Sequence, residues 1–247
     1  MKKLFFVLAF FSLFTNFTFA VNNQEIKEIL SPDAKDISFE PYIEQNSGGL
    51  VRLLVFNPSS ANSSKEIALI KKAVNYASEV AVPNGTNLMK FSKSSYPRVK
   101  NFSIYALRKS QTDPEVLNML GATSYETRAI ASFPDSADTF RVFVFIDDSP
   151  YNPSSFNNIS ESEFLLETTI NFIHEVYGHA FEVIKQPSLA NKSNAEQEIR
   201  AYTVQLEGLK KLKQNHFGSF DTQTQKLLDT YIEDSKHKID YFKENSY

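Results

Sequence analysis

The 247-residue chain contains no cysteine and no tryptophan, and its glycines number only 7. Without cysteine it has no disulfide, no thiolate metal site and no thiol nucleophile. With so few glycines, no Gly-rich phosphate loop is found, which sets aside the common nucleotide-binding motifs. An excess of basic charge is missing too: 26 Lys and Arg stand against 29 Asp and Glu, for a formal charge of −3. A basic surface is what phosphate contacts need, so nucleic acid is not expected as a partner. Apolar residues at 42% and charged residues at 22% are ordinary globular values, and they exclude wholesale disorder.

The first 20 residues read as a signal peptide. Met1-Lys2-Lys3 is a short basic start, Leu4 to Leu13 an apolar run, and Thr18-Phe19-Ala20 a small-residue cleavage site after Ala20. Ser12, Thr15 and Asn16 interrupt the apolar stretch, which is short against the roughly 20 residues that span a bilayer. The expectation is a cleaved leader, a secreted or periplasmic protein, and no membrane anchor after cleavage. Residues 21–247 are then expected as one domain, with a mixed strand and helix part at 21–150 and a helical part at 160–247.

Hydrophobic periodicity outlines the elements. Leu50 to Phe56 is a near-continuous apolar run, suited to a buried strand. Ser63-Ser64-Lys65-Glu66 reads as a capping box, and Ile67, Ile70, Val74 and Ala77 follow at helical spacing. Asn84-Gly85 signals a turn, and Phe102 to Leu107 a strand. Thr139 to Ile146 is the clearest strand, with Phe140, Val142, Val144 and Ile146 on one face. From Ser160 onward, Leu166, Ile170, Ile173, Tyr177, Phe181 and Ile184 form one helical stripe that ends at Pro187. Two further helices are expected, near Asn194 to Gln214 and Thr222 to Glu244, with Glu233 to Lys238 as a solvated face.

Chemistry concentrates in the middle of the first of these helices. Of 4 histidines in the chain, two fall in His174-Glu175-Val176-Tyr177-Gly178-His179. Two neutral imidazoles suit a zinc ion, and a neighbouring carboxylate can activate a water that the ion has acidified. The common His-Glu-x-x-His spacing sets both rings on one helix face. Here one residue is inserted. At about 100° per residue, five steps turn the second ring about 140° from the first. The pair can meet only if the helix widens locally into a π-type turn, a feature that favours functional sites. Gly178 stands where such relaxation is needed. A third ligand is available in Ala195-Glu196-Gln197-Glu198-Ile199-Arg200-Ala201-Tyr202, where Glu198 is the first choice and Glu196 and Glu182 are competitors.

His-Glu-x-x-Gly-His followed by Glu-x-Arg-Ala resembles the third dipeptidyl-peptidase family, and more broadly zinc metallopeptidases whose His, His and Glu ligands lie on two helices. The likeness covers about 30 residues. Gln197 and Tyr202 replace two Glu of that family's second segment, and the short gap between segments is closer to thermolysin-like enzymes. The resemblance implies an α+β, zincin-like fold in which His174, His179 and Glu198 hold Zn²⁺ and Glu175 is the base. It also implies a peptide or protein substrate, whose backbone would lie on an edge strand, with Phe140 to Ile146 as the candidate. Tyr202, four residues after Glu198 on one helix face, is either an oxyanion donor or a core aromatic. His216 is a further oxyanion candidate, and His237 is expected to be inert. Against the peptidase expectation stand a non-catalytic secreted binding protein of similar fold and a zinc hydrolase of non-peptide amides.

Overall fold

The computed structural model describes residues 28–31, 42–45, 50–56, 63–81, 96–124, 126–132, 138–152, 154–155 and 158–245. The signal segment with its cut after Ala20, and the Asn84-Gly85 turn, lie outside these residues. No helix among the described residues is long and apolar enough to cross a membrane.

Every described strand precedes residue 146 and the chain from Glu161 onward is helical, so the protein is mixed α/β with its sheet in the first part and its C-terminal part helical. Among the described residues, five strands form one sheet: β1 (Tyr42–Gln45), β2 (Val51–Val55), β3 (Asn101–Leu107), β4 (Ala129–Ser132) and β5 (Thr139–Phe145), in the order β1-β2-β3-β5-β4. The central strands β2, β3 and β5 run parallel, while β1 and β4 are antiparallel edges. Parallel neighbours need a crossover, and helix α1 (Ser63–Val80) supplies it between β2 and β3. A short helix α2 (Pro114–Met119) leads from β3 toward β4.

Central parallel strands are covered on both faces. Phe102, Ile104, Phe140, Val142 and Val144 join the larger core beneath the helices, while Tyr105, Leu107, Phe143 and Phe145 join a smaller core on the opposite face with Ile29 and Leu30. Each large apolar side chain so buried contributes about 1.5–3 kcal/mol. The sequence pattern of β5 therefore marks one face correctly and leaves the second apolar face unmarked.

The helical part is a long interrupted helix followed by two more. α3 (Glu161–Asn171) is capped by Ser160, whose hydroxyl accepts the Glu163 N–H at 3.1 Å. It continues into a π-helix at Phe172–Phe181 and a final α-helical turn, α4 (Glu182–Lys185), before Pro187. α5 (Asn194–His216) starts from a Ser193–Glu196 capping box, and α6 (Thr222–Glu244) from Asp221. α5 packs on the π-helix on one side and on α6 on the other.

Two expectations are corrected here. Phe140 to Ile146 is an interior strand, paired with β3 and β4 on its two sides, and the edge beside the π-helix is β4. Glu66 turns inward, fully buried, where its Oε1 accepts from Arg108 Nη2 at 2.7 Å.

Candidate metal centre

The inserted residue of the His-Glu motif is absorbed by the π-helix. In a turn closed by i→i+5 hydrogen bonds, residues five apart come back to nearly the same face. The His174 and His179 rings meet edge to face, with centroids 4.9 Å apart, and their Nε2 atoms are 3.2 Å apart.

Glu198 closes the triangle. Its Oε2 lies 3.4 Å from His174 Nε2 and its Oε1 3.4 Å from His179 Nε2. The carboxylate arrives there because α5 comes unusually close to the π-helix. A Cβ on Gly178 would stand 2.7 Å from the Ala201 Cα and 2.9 Å from its Cβ. Gly208, about two turns past Ala201 along α5, approaches Ile173 in the same way, with an ideal Cβ 3.1 Å from Cγ2. The role of Gly178 is thus close approach, in addition to any backbone freedom. Tyr177 fixes the π-helix from behind, its hydroxyl 2.7 Å from Ser78 Oγ on α1.

Two imidazole nitrogens and a carboxylate facing one point repel unless a proton or a cation lies among them. These three residues can hold a metal ion, since one ligand atom from each lies within 4.8 Å of the others. In the ion-free chain, burial works against charge on His174, but the hydrogen bond to Glu198 and the charges of Glu175 and Glu198 outweigh it and raise its pKa. Burial likewise opposes charge on Glu198, and its hydrogen bonds to His174 and His179 overcome that, holding the carboxyl at about 2.

Glu175 does not join the triangle. Its Oε2 accepts the backbone N–H of Ala131, on β4, at 2.8 Å. Tyr202 packs its ring against His174, centroids 4.5 Å apart, and against Phe242 at 6.0 Å. Burial, then the charges of Glu198 and Glu175, push its phenol up to about 12, so it keeps its proton. A cleft of about 300 Å³ opens onto His174, Glu175 and Tyr202, and Arg128, Ala129, Asp234 and Lys238 line its rim.

The competitors stand elsewhere. Glu196 is exposed in the capping box of α5, 3.1 Å from Lys192. Glu182 pairs with Lys185 at 2.8 Å, and Arg200 lies 3.9 Å from it. His216 is no oxyanion donor for this cleft: its Nε2 lies 2.7 Å from Glu79, and its ring stacks on Tyr76. His237 is exposed on α6.

Sequence reasoning missed Gln205 and Ser235. Gln205 Oε1 lies 2.9 Å from His174 Nδ1, and its Nε2 donates to Ser235 Oγ at 2.9 Å. Gln205 follows Glu198 by seven residues, two helical turns along the same face, and that spacing is the only signal it carried. Ser235 lay hidden inside a charged stretch that is otherwise solvated.

No protein-family model, no curated protein and no solved structure matches this chain. The fold and the site by themselves define a mixed α/β protein with a candidate His-His-Glu metal centre on two packed helices.

Proposed function

We propose that the protein is an exported zinc metallopeptidase of zincin-like architecture, which hydrolyses peptide bonds in the cleft above His174 and Glu175. The observation that carries this reading is the ligand triangle. Donors about 2.0–2.1 Å from a tetrahedral zinc stand about 3.3 Å apart, and the three separations here are 3.2, 3.4 and 3.4 Å. Two imidazoles and a carboxylate, with a fourth position open, are also a donor set that catalytic zinc uses.

His174, His179 and Glu198 would hold the ion. When bound, zinc supplies a Lewis acid and lowers the pKa of a coordinated water to about 7. Glu175 takes the proton of the attacking water and later delivers it to the leaving amine. The Ala131 N–H holds one oxygen of that carboxylate, which fixes it beside β4. Tyr202, protonated because burial pushes it up to about 12, donates to the oxyanion that develops on the carbonyl. β4 is the sheet edge nearest the π-helix, and an extended peptide adds naturally to such an edge. The non-catalytic reading drew its support from the inserted residue, and the π-helix removes that support by realigning the rings.

Two measurements test the proposal. Elemental analysis of protein purified without chelator should find about one zinc per parent chain and none in His179→Ala. On peptide libraries, Glu175→Gln should retain the zinc and lose at least about a hundred-fold in rate. A zinc-free parent, or a Glu175→Gln variant as fast as the parent, sinks the peptidase reading.

A further inference from the structure

A directed chain of hydrogen bonds leaves the metal site through His174 and ends on α6. Ser235 Oγ donates to the Tyr231 carbonyl at 2.7 Å. A hydroxyl has one hydrogen, so Ser235 can only accept from its other neighbour. That neighbour is Gln205, whose Nε2 lies 2.9 Å away. The amide is thereby oriented, with its nitrogen toward Ser235 and its oxygen toward the imidazole. An amide oxygen only accepts, so His174 Nδ1, at 2.9 Å, must carry the hydrogen. In the neutral ring the lone pair then resides on Nε2, the atom that faces His179 and Glu198. Gln205 is 6% exposed and Ser235 0%, and both lie in the lining of the cleft.

We propose that Ser235, acting through Gln205, sets the tautomer of His174 and so tunes the metal affinity of the site from the C-terminal helix. Both are positioning residues, and this inference rests on the metal reading above. Metal-bound histidines commonly lean on a carboxylate or a carbonyl through the second ring nitrogen. A carboxylate has two equivalent accepting ends and needs no further guide. A glutamine has one accepting and one donating end. Without Ser235 the amide can turn over, present its NH₂ to Nδ1, and favour the Nε2–H form, which cannot ligate a metal through the nitrogen that faces the site. The serine is the element that selects the productive end.

The test exploits that asymmetry. Zinc affinity is measured by chelator competition in four proteins: the parent, Ser235→Ala, Gln205→Glu and the double variant. Ser235→Ala is expected to weaken zinc binding roughly ten-fold in the parent background. In the Gln205→Glu background the same change is expected to have no effect, because a carboxylate has no wrong end. Equal losses in both backgrounds would mean that Ser235 acts by packing, and the proposal falls. In parallel, nitrogen NMR shifts of His174 are read in metal-free protein in alkaline buffer, where the ring is neutral. The parent is expected to show the Nδ1–H form alone, and Ser235→Ala a mixture. A mixture in the parent overturns the inference even if zinc binds. A parent that takes no zinc overturns the metal reading instead, and the nitrogen spectra still decide this one.

Discussion

The geometry of the site depends on one contact between small residues. Gly178 and Ala201 touch backbone to backbone, and Glu198 precedes Ala201 by a single helical turn. Adding a methyl at position 178 would bring a Cβ to 2.7 Å of the Ala201 Cα, where no flexible side-chain end can move aside. Gly178→Ala should therefore push α5 away from the π-helix and carry Glu198 with it. The expected cost is about 1–3 kcal/mol in stability, as for other overpacked cores, together with a clear loss of zinc affinity. Urea unfolding and chelator competition measure the two effects. An Ala variant that is more stable and binds zinc normally would show that the close approach is dispensable. A second residue-scale prediction concerns Glu66 and Arg108, 0% and 3% exposed. Removing one partner of a buried ion pair costs about 3–5 kcal/mol, because the other charge is stranded. Arg108→Met should be strongly destabilising, and Arg108→Met combined with Glu66→Leu should recover much of the loss. Equal stability of the single and double variants would contradict this.

At the scale of elements, the helices of the C-terminal part are legible from their apolar spacing. Ser160, Ser193 and Asp221 each accept a backbone N–H from the first turn, and the Ser193 and Asp221 caps add starts that the apolar spacing alone leaves unmarked. Asp221 gives the clearest test. Its carboxylate accepts the Thr224 N–H at 2.8 Å, and that bond holds its pKa below the usual value. A carboxyl depressed in the folded state stabilises above its unfolded pKa of about 3.9 and stops doing so as pH falls through the lower folded value. Asp221→Ala should cost about 1 kcal/mol near neutrality, and the gap to the parent should narrow in urea titrations run at acid pH. A gap independent of pH would mean that the cap does not act through its charge. Other elements were illegible for equally physical reasons. β4 is four half-buried residues, Ala129–Ser132, with no apolar alternation to mark it. Its place at the sheet edge is set by pairing with β5, which no local pattern encodes, so the edge role was first given to the stronger strand. The His174-His179-Glu198 cluster was readable because histidine is scarce and the spacing is specific, and the π-helix because that spacing demanded one. Gln205 was not, since a polar residue on a helix has no distinctive spacing until its neighbour is known.

For the whole molecule, the candidate metal site draws its parts from well-separated segments of the chain. The π-helix supplies two candidate ligands and α5 the third, β4 holds Glu175, and α6 steadies Gln205. The larger core likewise joins β2, β3 and β5 to α1, α3, the π-helix, α5 and α6. An ion bound at such a junction ties helices to each other and, through the π-helix, to the sheet. A ligand that binds the folded chain and not the unfolded one adds about 2.7 kcal/mol at a hundred times its Kd. Without cysteine, no disulfide backs up the fold, so the contribution of a metal should be plainly visible. Adding a strong chelator should lower the Tm of the parent, and restoring excess zinc should bring it back. In His179→Ala the Tm should already be low and should not respond to chelator, because the triangle has lost a corner. If the site works as a clamp on one shared core, sheet and helices should melt together, so that amide-exchange protection in β3 and in α5 is lost in one transition with and without zinc. A chelator effect confined to the α5 amides, with β3 protection unmoved, would place the clamp within the helices alone.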